Sequence, residues 1–441
     1  MESLEVDVAV TKFKLVMFFL LINSFAFAEE QGSEIYKKKV LDEIELKFLM
    51  SHYTQDGDNS AVMGGHGSEK LEDTESKVIV NIPLNEDDVL TVMCSMSAYT
   101  SASSSNINPF DAQYVTPWVA SSGASAADEL HTVNVNYSHS SDTRDNIVGV
   151  NIGLSSEFDY SSFGFGGDYL YLFNNKNSEI GFKGQIYLDN WKIFYPRELF
   201  NNYFFDEGTI VDSDGNQTNE YNSNLFTPLS DKKRNTISLS FTYSQIWNKR
   251  FKTSIIIDYI RQEGVLSTPY QRIYFSDIND YFIDEFQLAD NIEQLPNSRI
   301  KIPIGIRGNY YLNDLVILRG YYRFYNDNWG ITAHTINFEI PIKATSAFVV
   351  YPFYRYYNQT KSNYFYEYNR AISTDIYYTS DYDLSDYNTY FYGFGFNYTR
   401  AFRENYIKNK SLKNIFFRYG EYVRSTGLES KIISLEFVFS L

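Results

Sequence analysis

The sequence predicts an all-β protein, a transmembrane antiparallel up-and-down β-barrel of about 16 strands, with 14–16 as the range. Three observations support this class. Most of the chain alternates apolar and polar residues with period two, which indicates strands with two different faces. The connections between these predicted strands are alternately short and long. Tyr and Phe, with 39 and 35 residues among 441, dominate an aromatic content of 18%.

The first thirty residues resemble an export signal. Lys12 and Lys14 precede an apolar run that begins at Leu15, and an Ala-Phe-Ala triplet follows at 26–28. This order predicts a signal peptide over residues 1–28, which is removed on export. Residues 29–441 are then expected to form one barrel domain in the outer membrane, because no later apolar run approaches the ~20 residues of a membrane helix.

The alternation runs through most of the mature chain. In the stretch NTISLSFTYS, for example, Ile237, Leu239 and Phe241 occupy one face, and Ser and Thr occupy the other. Counting such stretches predicts strands near 44–54, 76–84, 89–98, 131–138, 147–158, 163–173, 179–190, 235–247, 251–262, 300–311, 315–326, 331–342, 347–358, 389–400, 412–424 and 430–441.

The lengths of the connections separate by parity. One class is short and includes residues 85–88, 174–178, 248–250 and 343–346. The long connections all fall in the other class: 55–75, 99–130, 191–234, 263–299 and 359–388. Outer-membrane barrels have short periplasmic turns and long extracellular loops, whereas a soluble β-sandwich has no reason to separate its loops in this way.

The strand ends and the last strand agree with a membrane location. Aromatic clusters such as YYRFYNDNW at 321–329 suit the lipid–water interface. The final stretch, SKIISLEFVFSL, places Ile433, Leu435 and Phe437 on one face and resembles the terminal signal that the barrel-assembly machinery reads. The expected partners are therefore outer-membrane lipid and that machinery, and a periplasmic or surface protein partner is left open.

If the apolar face meets lipid, the polar face lines a lumen. Neighbouring strands then carry a basic wall with one acidic member, consisting of Arg307, Arg319, Arg323, Glu339 and Arg355. Charges at membrane depth are costly unless they face water or each other. Two interpretations stay open: a selectivity surface for a small anionic solute, and an ion-pair network that holds loops or a plug inside the barrel.

The stretch YTQDGDNSAVMGGHGSEKLED, residues 53–73, is rich in groups that could bind an ion. Asp56 and Asp58 begin like an EF-hand calcium loop, but Ala61 and Gly67 stand where that motif requires Gly and Glu. The sequence leaves two interpretations open. One is a looser ion site with Asp56, Asp58 and His66. The other, which we favour, is a structural or gating loop. The identity of any metal is not predicted.

Charge and motifs exclude several functions. A formal net charge of -17 disfavours nucleic acid as a partner. The single cysteine, Cys94, rules out an internal disulfide and any multi-cysteine metal site. The chain contains neither H-E-x-x-H nor G-x-S-x-G, so no enzyme and no cofactor are predicted, and a surface hydrolase is the weakest alternative.

Six stretches carry a family resemblance: QDGDNSAVMGGHGSEKLED, SAYTSASSSN, VLSTPYQR, QLPNSRIKIPIG, YYRFYNDNWGITAHT and PFYRYYNQTKSNYF. With them the chain resembles an outer-membrane β-barrel family of Gram-negative bacteria that is catalogued as a domain of unknown function. Members usually have Asp where this chain has Ser97. The resemblance implies the fold and the location, and the redox proteins encoded beside members suggest an envelope redox role.

These observations predict a porin-like channel or binding barrel for a small solute, which the basic wall suggests is anionic. The alternative is a non-conducting scaffold for an envelope partner, which the family resemblance suggests is a redox protein. Because the chain has no C-x-x-C motif, any redox cofactor would belong to that partner.

Overall fold

The computed structural model describes residues 39–101, 127–200, 209–221, 225–399 and 411–441. The chain divides into two units, Met1–Lys39 and Val40–Leu441, and the barrel lies in the second. The predicted signal peptide lies outside the described residues, so the division into residues 1–28 and 29–441 stays a prediction.

Sixteen antiparallel staves form one closed sheet. Their bounds are β1 Glu45–Asp56, β2 Leu71–Pro83, β3 Asp88–Ser101, β4 Ala127–Ser140, β5 Asn146–Ser156, β6 Tyr160–Phe173, β7 Ser178–Trp191, β8 Lys233–Asn248, β9 Phe251–Gly264, β10 Ser298–Tyr311, β11 Ile317–Asp327, β12 Thr332–Glu339 continued by Ile342–Lys343, β13 Phe348–Gln359, β14 Tyr387–Thr399, β15 Ser411–Arg424 and β16 Glu429–Ser440.

Each stave pairs with the next along the chain, and the last pairs with the first. The register between β1 and β16 runs from Glu45 opposite Ser440 to Asp56 opposite Glu429. Closure leaves no unpaired edge, which is the condition for a sheet to span lipid. The predicted up-and-down barrel and its strand number are confirmed.

One predicted strand is interrupted. The alternation predicts a continuous strand over 331–342, but β12 breaks between Glu339 and Ile342. Pro341 lies in the break and has no N–H to donate to a ladder, so only its carbonyl is used, accepting from the Ile317 amide at 3.0 Å. The stave resumes at Ile342, which pairs with Val350.

The outer face of the barrel is apolar. Its exposed side chains include Val150, Ile152 and Leu154 on β5, with Leu154 59% exposed, and Ile304 and Ile306 on β10. Exposed apolar area that encircles a barrel is the surface that lipid covers. No helix in the described ranges is long and apolar enough to cross a membrane.

The parity of the connections is also confirmed in the described ranges. Connections at one end are short, as at 84–87 and 174–177, and the other end carries long loops. The segment 102–126 lies outside the described residues. Some strands extend beyond the prediction at the long-loop end, since β2 begins at Leu71 where we expected residue 76. Backbone pairing continues there past the lipid, where apolar outer residues are no longer required.

Four long loops fold together at that end. We call the described parts of loops 57–70, 192–232, 265–297 and 360–386 the loop cap. Its short elements are the 3-10 helices Ala61–Met63 and Tyr382–Leu384, the α-helix Arg197–Phe200, and the strands Ile210–Asp212, Arg272–Ile273, Tyr281–Ile283, Phe286–Gln287 and Asn291–Ile292. Its buried side chains form three apolar clusters, one of which joins Met63, Ile210 and Phe286 from three different loops.

Arg272 is the central residue of the loop cap. It is fully buried, and its Nε donates to Glu198 Oε1 at 2.6 Å while Nη2 donates to Oε2 at 3.2 Å. Its Nη1 also donates to the carbonyl of Val62 at 3.2 Å. Loops 57–70 and 265–297 leave opposite sides of a sixteen-stave ring, so this contact bridges a mouth roughly 30 Å wide.

Two buried carboxyl groups of the loop cap have neutral partners. Glu293 accepts from the Thr268 amide at 2.7 Å and from the Thr379 hydroxyl. Burial, together with the nearby Asp381 carboxylate, raises the pKa of Glu293 from its ordinary 4.5 to about 8. Burial likewise raises the pKa of Asp290 to about 7, although the Phe275 amide donates to it.

We expect Arg272→Met to loosen the loop cap without unfolding the barrel. The substitution leaves Glu198 as an unpaired buried charge, which costs about 3–5 kcal/mol locally. Hydrogen exchange of amides in 265–297 should accelerate while strand amides stay protected. Arg272→Met combined with Glu198→Leu removes both charges and should restore most of the protection. Equal loss in the single and double variants would contradict this account.

The loop cap should also be less stable at alkaline pH. The folded-state pKa of Glu293 is raised, so its stabilising contribution is complete below pH 4.5 and is lost as the pH rises through 8. Exchange protection in 265–297 should therefore fall between about pH 4.5 and pH 8 and level off above pH 8, after correction for intrinsic exchange rates. Glu293→Gln should flatten that dependence, whereas Glu285→Gln, at an exposed site in the same loop, should leave it unchanged. Identical pH profiles for the two variants would refute the assignment.

Candidate lumen anion site

The predicted basic residues lie on the inner wall of β10 to β13. The register places Arg307 opposite Tyr321, Tyr321 opposite Asn337, and Asn337 opposite Arg355. Residues that are opposite each other in an antiparallel sheet share a face. Because Ile306, beside Arg307, is exposed on the outside, this whole row faces the lumen.

The next row on each side holds the other members of the predicted set. Arg319 lies opposite Glu339, two residues from the row of Arg307 toward the short-turn end. Arg323 lies opposite Thr335, two residues toward the loop cap. The structure therefore brings all five predicted wall residues to one side of the lumen, where their function stays a prediction.

These residues line a cavity of about 1020 Å³. Its charged lining residues are Lys249, Arg250, Lys252, Arg307, Arg319, Arg323, Arg355 and Glu339. Seven of these eight side chains are cationic, although the chain as a whole has a net charge of -17. The cavity is therefore a basic region in an acidic protein.

The single carboxylate of the lining serves two arginines. Arg319 Nη1 lies 2.7 Å from Glu339 Oε1, and Arg418 Nη1 on β15 lies 3.7 Å from Glu339 Oε2. Within the described ranges, Arg307, Arg323 and Arg355 have no carboxylate at ion-pair distance. The Nε of Arg323 is buried and has no hydrogen-bond partner there. The positive charge of these three guanidinium groups is left to solvent or to a ligand.

Aromatic rings hold several of these arginines. The guanidinium of Arg355 lies 5.6 Å from the ring centre of Phe391, and that of Arg418 lies 3.9 Å from the ring centre of Phe353. Arg307 lies over Tyr321 at 5.6 Å. Such cation–π contacts fix the guanidinium plane and leave its N–H edges free to donate.

Glycines on the inner face make room for these rings. A Cβ at Gly420 would lie 2.6 Å from Cε2 of Phe391 and 3.1 Å from Cζ of Phe353. A Cβ at Gly395 would lie 2.3 Å from the ring of Tyr351. The rings therefore lie flat in a glycine-lined depression of β14 and β15. Neither the glycines nor Arg418 formed part of the predicted site, although the repeated Tyr-Gly and Phe-Gly pairs were a visible signal.

The other predicted group, Asp56, Asp58 and His66, is spread over the end of β1 and the first loop. Asp56 accepts from the neighbouring Gly57 amide at 3.0 Å, and both aspartates are exposed. His66 packs against Tyr368, with ring centres 4.0 Å apart. In the parts of the chain that the structure describes, these three residues do not form a group of metal-ligand type.

His66 belongs to the loop cap. Burial, together with the positive charge of Arg272, lowers the pKa of His66 from 6.5 to about 4, so the imidazole is neutral at physiological pH. Gly64, Gly65 and Gly67 around it have positive φ angles of 73°, 94° and 89°. The glycines shape a tight turn that buries Met63, which agrees with the structural interpretation of the loop.

One acidic group was missed by the sequence analysis. Asp128, Glu157 and Asp159 hold their carboxylate oxygens within 4.8 Å of one another, the one such group in the described ranges. Burial raises the pKa of Glu157 to about 7, and the Asp159 carboxylate contributes to the same shift. The three come from β4 and from the β5–β6 turn, so no sequence spacing indicated them.

The family-like stretch YYRFYNDNWGITAHT forms the β11–β12 hairpin. Asp327 accepts from the amides of Trp329 and Ile331, each at 3.0 Å, and lies 2.6 Å from Arg299 Nη2. Arg299 in turn stacks on Trp329 at 4.3 Å. The role of this stretch in the structure is to close a turn at the mouth of the barrel.

Solved structures with a similar fold are outer-membrane proteins. They include a bacterial polysaccharide outer membrane secretin (9% identity, TM-score 0.42, covering 90% of this chain and 98% of that chain). OpdK of Pseudomonas aeruginosa with vanillate shows 6% identity, a TM-score of 0.38 and coverage of 90% and 98%. A TodX monoaromatic hydrocarbon channel deltaS2 mutant shows 9% identity and a TM-score of 0.40, with coverage of 91% of this chain and 90% of that chain. At these identities the likeness concerns fold alone.

The sequence has no significant match among curated proteins. A family model described as "Protein of unknown function (DUF3570)" matches residues 18–410, which is most of the chain. The predicted resemblance to an outer-membrane β-barrel family is thereby confirmed, and the chain belongs to the DUF3570 family.

Proposed function

We propose that this protein binds a small anionic solute in the lumen of a barrel in the outer membrane and passes it when the loop cap moves. The observation that carries the proposal is the group of Arg307, Arg323 and Arg355, which face one cavity without a carboxylate partner in the described ranges. Export through a cleaved signal peptide is part of the same proposal.

The electrostatics favour an anion as the ligand. Like charges on one wall repel each other, and in a partly enclosed lumen the repulsion is screened less than on an open surface. An anion between the guanidinium groups relieves this repulsion and accepts charge-assisted hydrogen bonds. Tyr387 and Tyr422 line the same cavity and offer further hydroxyl donors.

The size of the cavity supports a small solute. Its volume of about 1020 Å³ lies at the upper end of ordinary small-molecule sites, which reach about 1,000 Å³. A barrel of sixteen staves is also wide enough for an aqueous path along its axis. Binding and passage are therefore compatible in one lumen.

The proposal does not include catalysis. In the first loop the Ser68 hydroxyl accepts from the Lys70 amide at 3.2 Å, and His66 packs on tyrosine rings. A serine nucleophile requires a hydrogen-bonded histidine base, and this loop does not provide that pair. A non-conducting scaffold for an envelope partner stays the alternative function. No contact among the described residues specifically supports it.

We expect Arg323→Gln and Arg355→Gln each to weaken anion binding by about tenfold or more, because a hydrogen bond to a charged group contributes about 1.5–3 kcal/mol. Calorimetric titration of detergent-solubilised protein with phosphate, sulfate and citrate would measure this. Arg261→Gln, on the rim of β9 and outside the cavity lining, is the control with the same change of charge. Absence of anion binding in the unmodified protein would overturn the proposal.

Gly420→Ala should weaken the same binding without removing any charge. The added methyl group collides with the Phe391 and Phe353 rings and displaces the arginines that stack on them. Gly320→Ala is the matched control, because its Cβ would meet Phe338 only at 3.8 Å, an ordinary contact. Equal affinities for the two variants would show that the aromatic rings do not position the site.

A further inference from the structure

The short turn between β8 and β9 carries a group of cations that the proposed anion site does not use. Lys249 and Arg250 are exposed on this turn, and Lys252 follows at the start of β9. All three line the lumen cavity. Lys252 lies 3.8 Å from Glu179, and the described residues provide no carboxylate at ion-pair distance for the other two. We call these three residues the rim cluster.

The register connects the rim cluster to the arginines in steps. Lys252 is opposite Asn309, and Asn309 is opposite Arg319, so the first row of the wall begins at the rim. The second row contains Arg307, opposite Ser254, and the third contains Arg323, opposite Gly305. Successive rows are two residues apart, which is about 7 Å along a strand.

The other end of this path meets the loop cap. The contact of Arg272 with Val62 runs across the mouth between opposite sides of the ring, and its ion pair with Glu198 ties in the neighbouring loop 192–232. Arg424, at the end of β15, links loop 360–386 to loop 57–70, with Asp383 at 2.6 Å and Glu69 at 3.4 Å. These described contacts obstruct the long-loop end, whereas the cavity lining reaches the short turn itself.

We propose that anions enter the lumen from the short-turn end and that the rim cluster is the site that gathers them. This inference rests on the proposed function. Cations at the mouth of a low-dielectric cleft raise the local anion concentration and the association rate. In outer-membrane barrels the short turns face the periplasm, so the site receives solutes from the periplasmic side. Multiply charged anions gain most from such a row of cations.

Two parts of the wall then act differently on the kinetics. The rim cluster acts on arrival, so its loss lowers the association rate and the salt dependence of that rate. The deeper arginines contact the bound anion, so their loss raises the dissociation rate. A merely structural role for Lys249 and Arg250 would not alter the salt dependence of association.

The experiment measures the depth dependence of thiol labelling. In a Cys94→Ser background, Asn309→Cys marks the first row and Thr335→Cys the third, in protein embedded in nanodiscs. A negatively charged thiol reagent should label the first row faster than the third. Lys249→Gln with Arg250→Gln should slow both by about tenfold at low salt, and a neutral reagent of equal size should be unaffected. Lys176→Gln, on another short turn, is the control.

Faster labelling of the third row than the first, or no effect of the rim substitutions, would overturn the inference. The outcome is independent of the titrations with phosphate, sulfate and citrate. If those show no binding while the charged reagent still follows the rim cluster, the proposed function fails and the direction of access stands. If phosphate, sulfate or citrate binds but labelling does not depend on the rim cluster, the proposed function stands and the inferred direction of access fails.

Discussion

Lipid offers no hydrogen bonds to a polypeptide backbone, and the structure depends on this constraint. Every strand in the bilayer must pair on both sides, so the sheet has to close on itself, as β16 does on β1. Once it is closed, the pleat assigns alternate residues to lipid and to the lumen. At the depth of the acyl chains the outer face must then be apolar, and charges that the strands carry at that depth lie inside. The basic wall follows from this alternation, because most of the inward-facing charged residues of β10 to β13 are arginines.

The lumen wall and the loop cap handle charge in opposite ways. In the loop cap, Arg272 is matched by Glu198 on two oxygens, and the buried acids Glu293 and Asp290 accept hydrogen bonds from neutral donors. On the wall, one glutamate serves two arginines and three further arginines rely on solvent and aromatic rings. The first arrangement favours a fixed structure, whereas the second stores unsatisfied donors that a ligand can use.

The sequence was sufficient for the barrel because lipid enforces a local pattern. Alternation predicted the staves, and loop parity predicted their direction, in both cases from neighbouring residues. The break at Pro341 could have been predicted as well, since proline cannot donate to a ladder. The loop cap has no such periodicity. Its central ion pair joins residues 74 positions apart, and nothing in either local sequence indicates the partner.

The site was only partly predictable for the same reason. Face assignment places Arg307, Arg323 and Arg355 in the lumen, but it does not show which arginine a carboxylate neutralises. That depends on Arg418, three staves away from Glu339. The glycines under the aromatic rings are also invisible to a pattern of charge. They matter only because Phe353 and Phe391 lie flat on them, which is a property of packing between strands.

The two-residue spacing between rows has a consequence for how this family can vary. A substitution at the wall changes one side chain, but losing one residue inside β11 would turn Arg319 or Arg323 toward the acyl chains and bring a neighbouring apolar residue into water. Insertions and deletions within the staves are therefore tolerated only in pairs. Length variation among related chains should concentrate in the long loops. The identity of the residues in the basic wall should vary, while the two-residue spacing between rows stays the same.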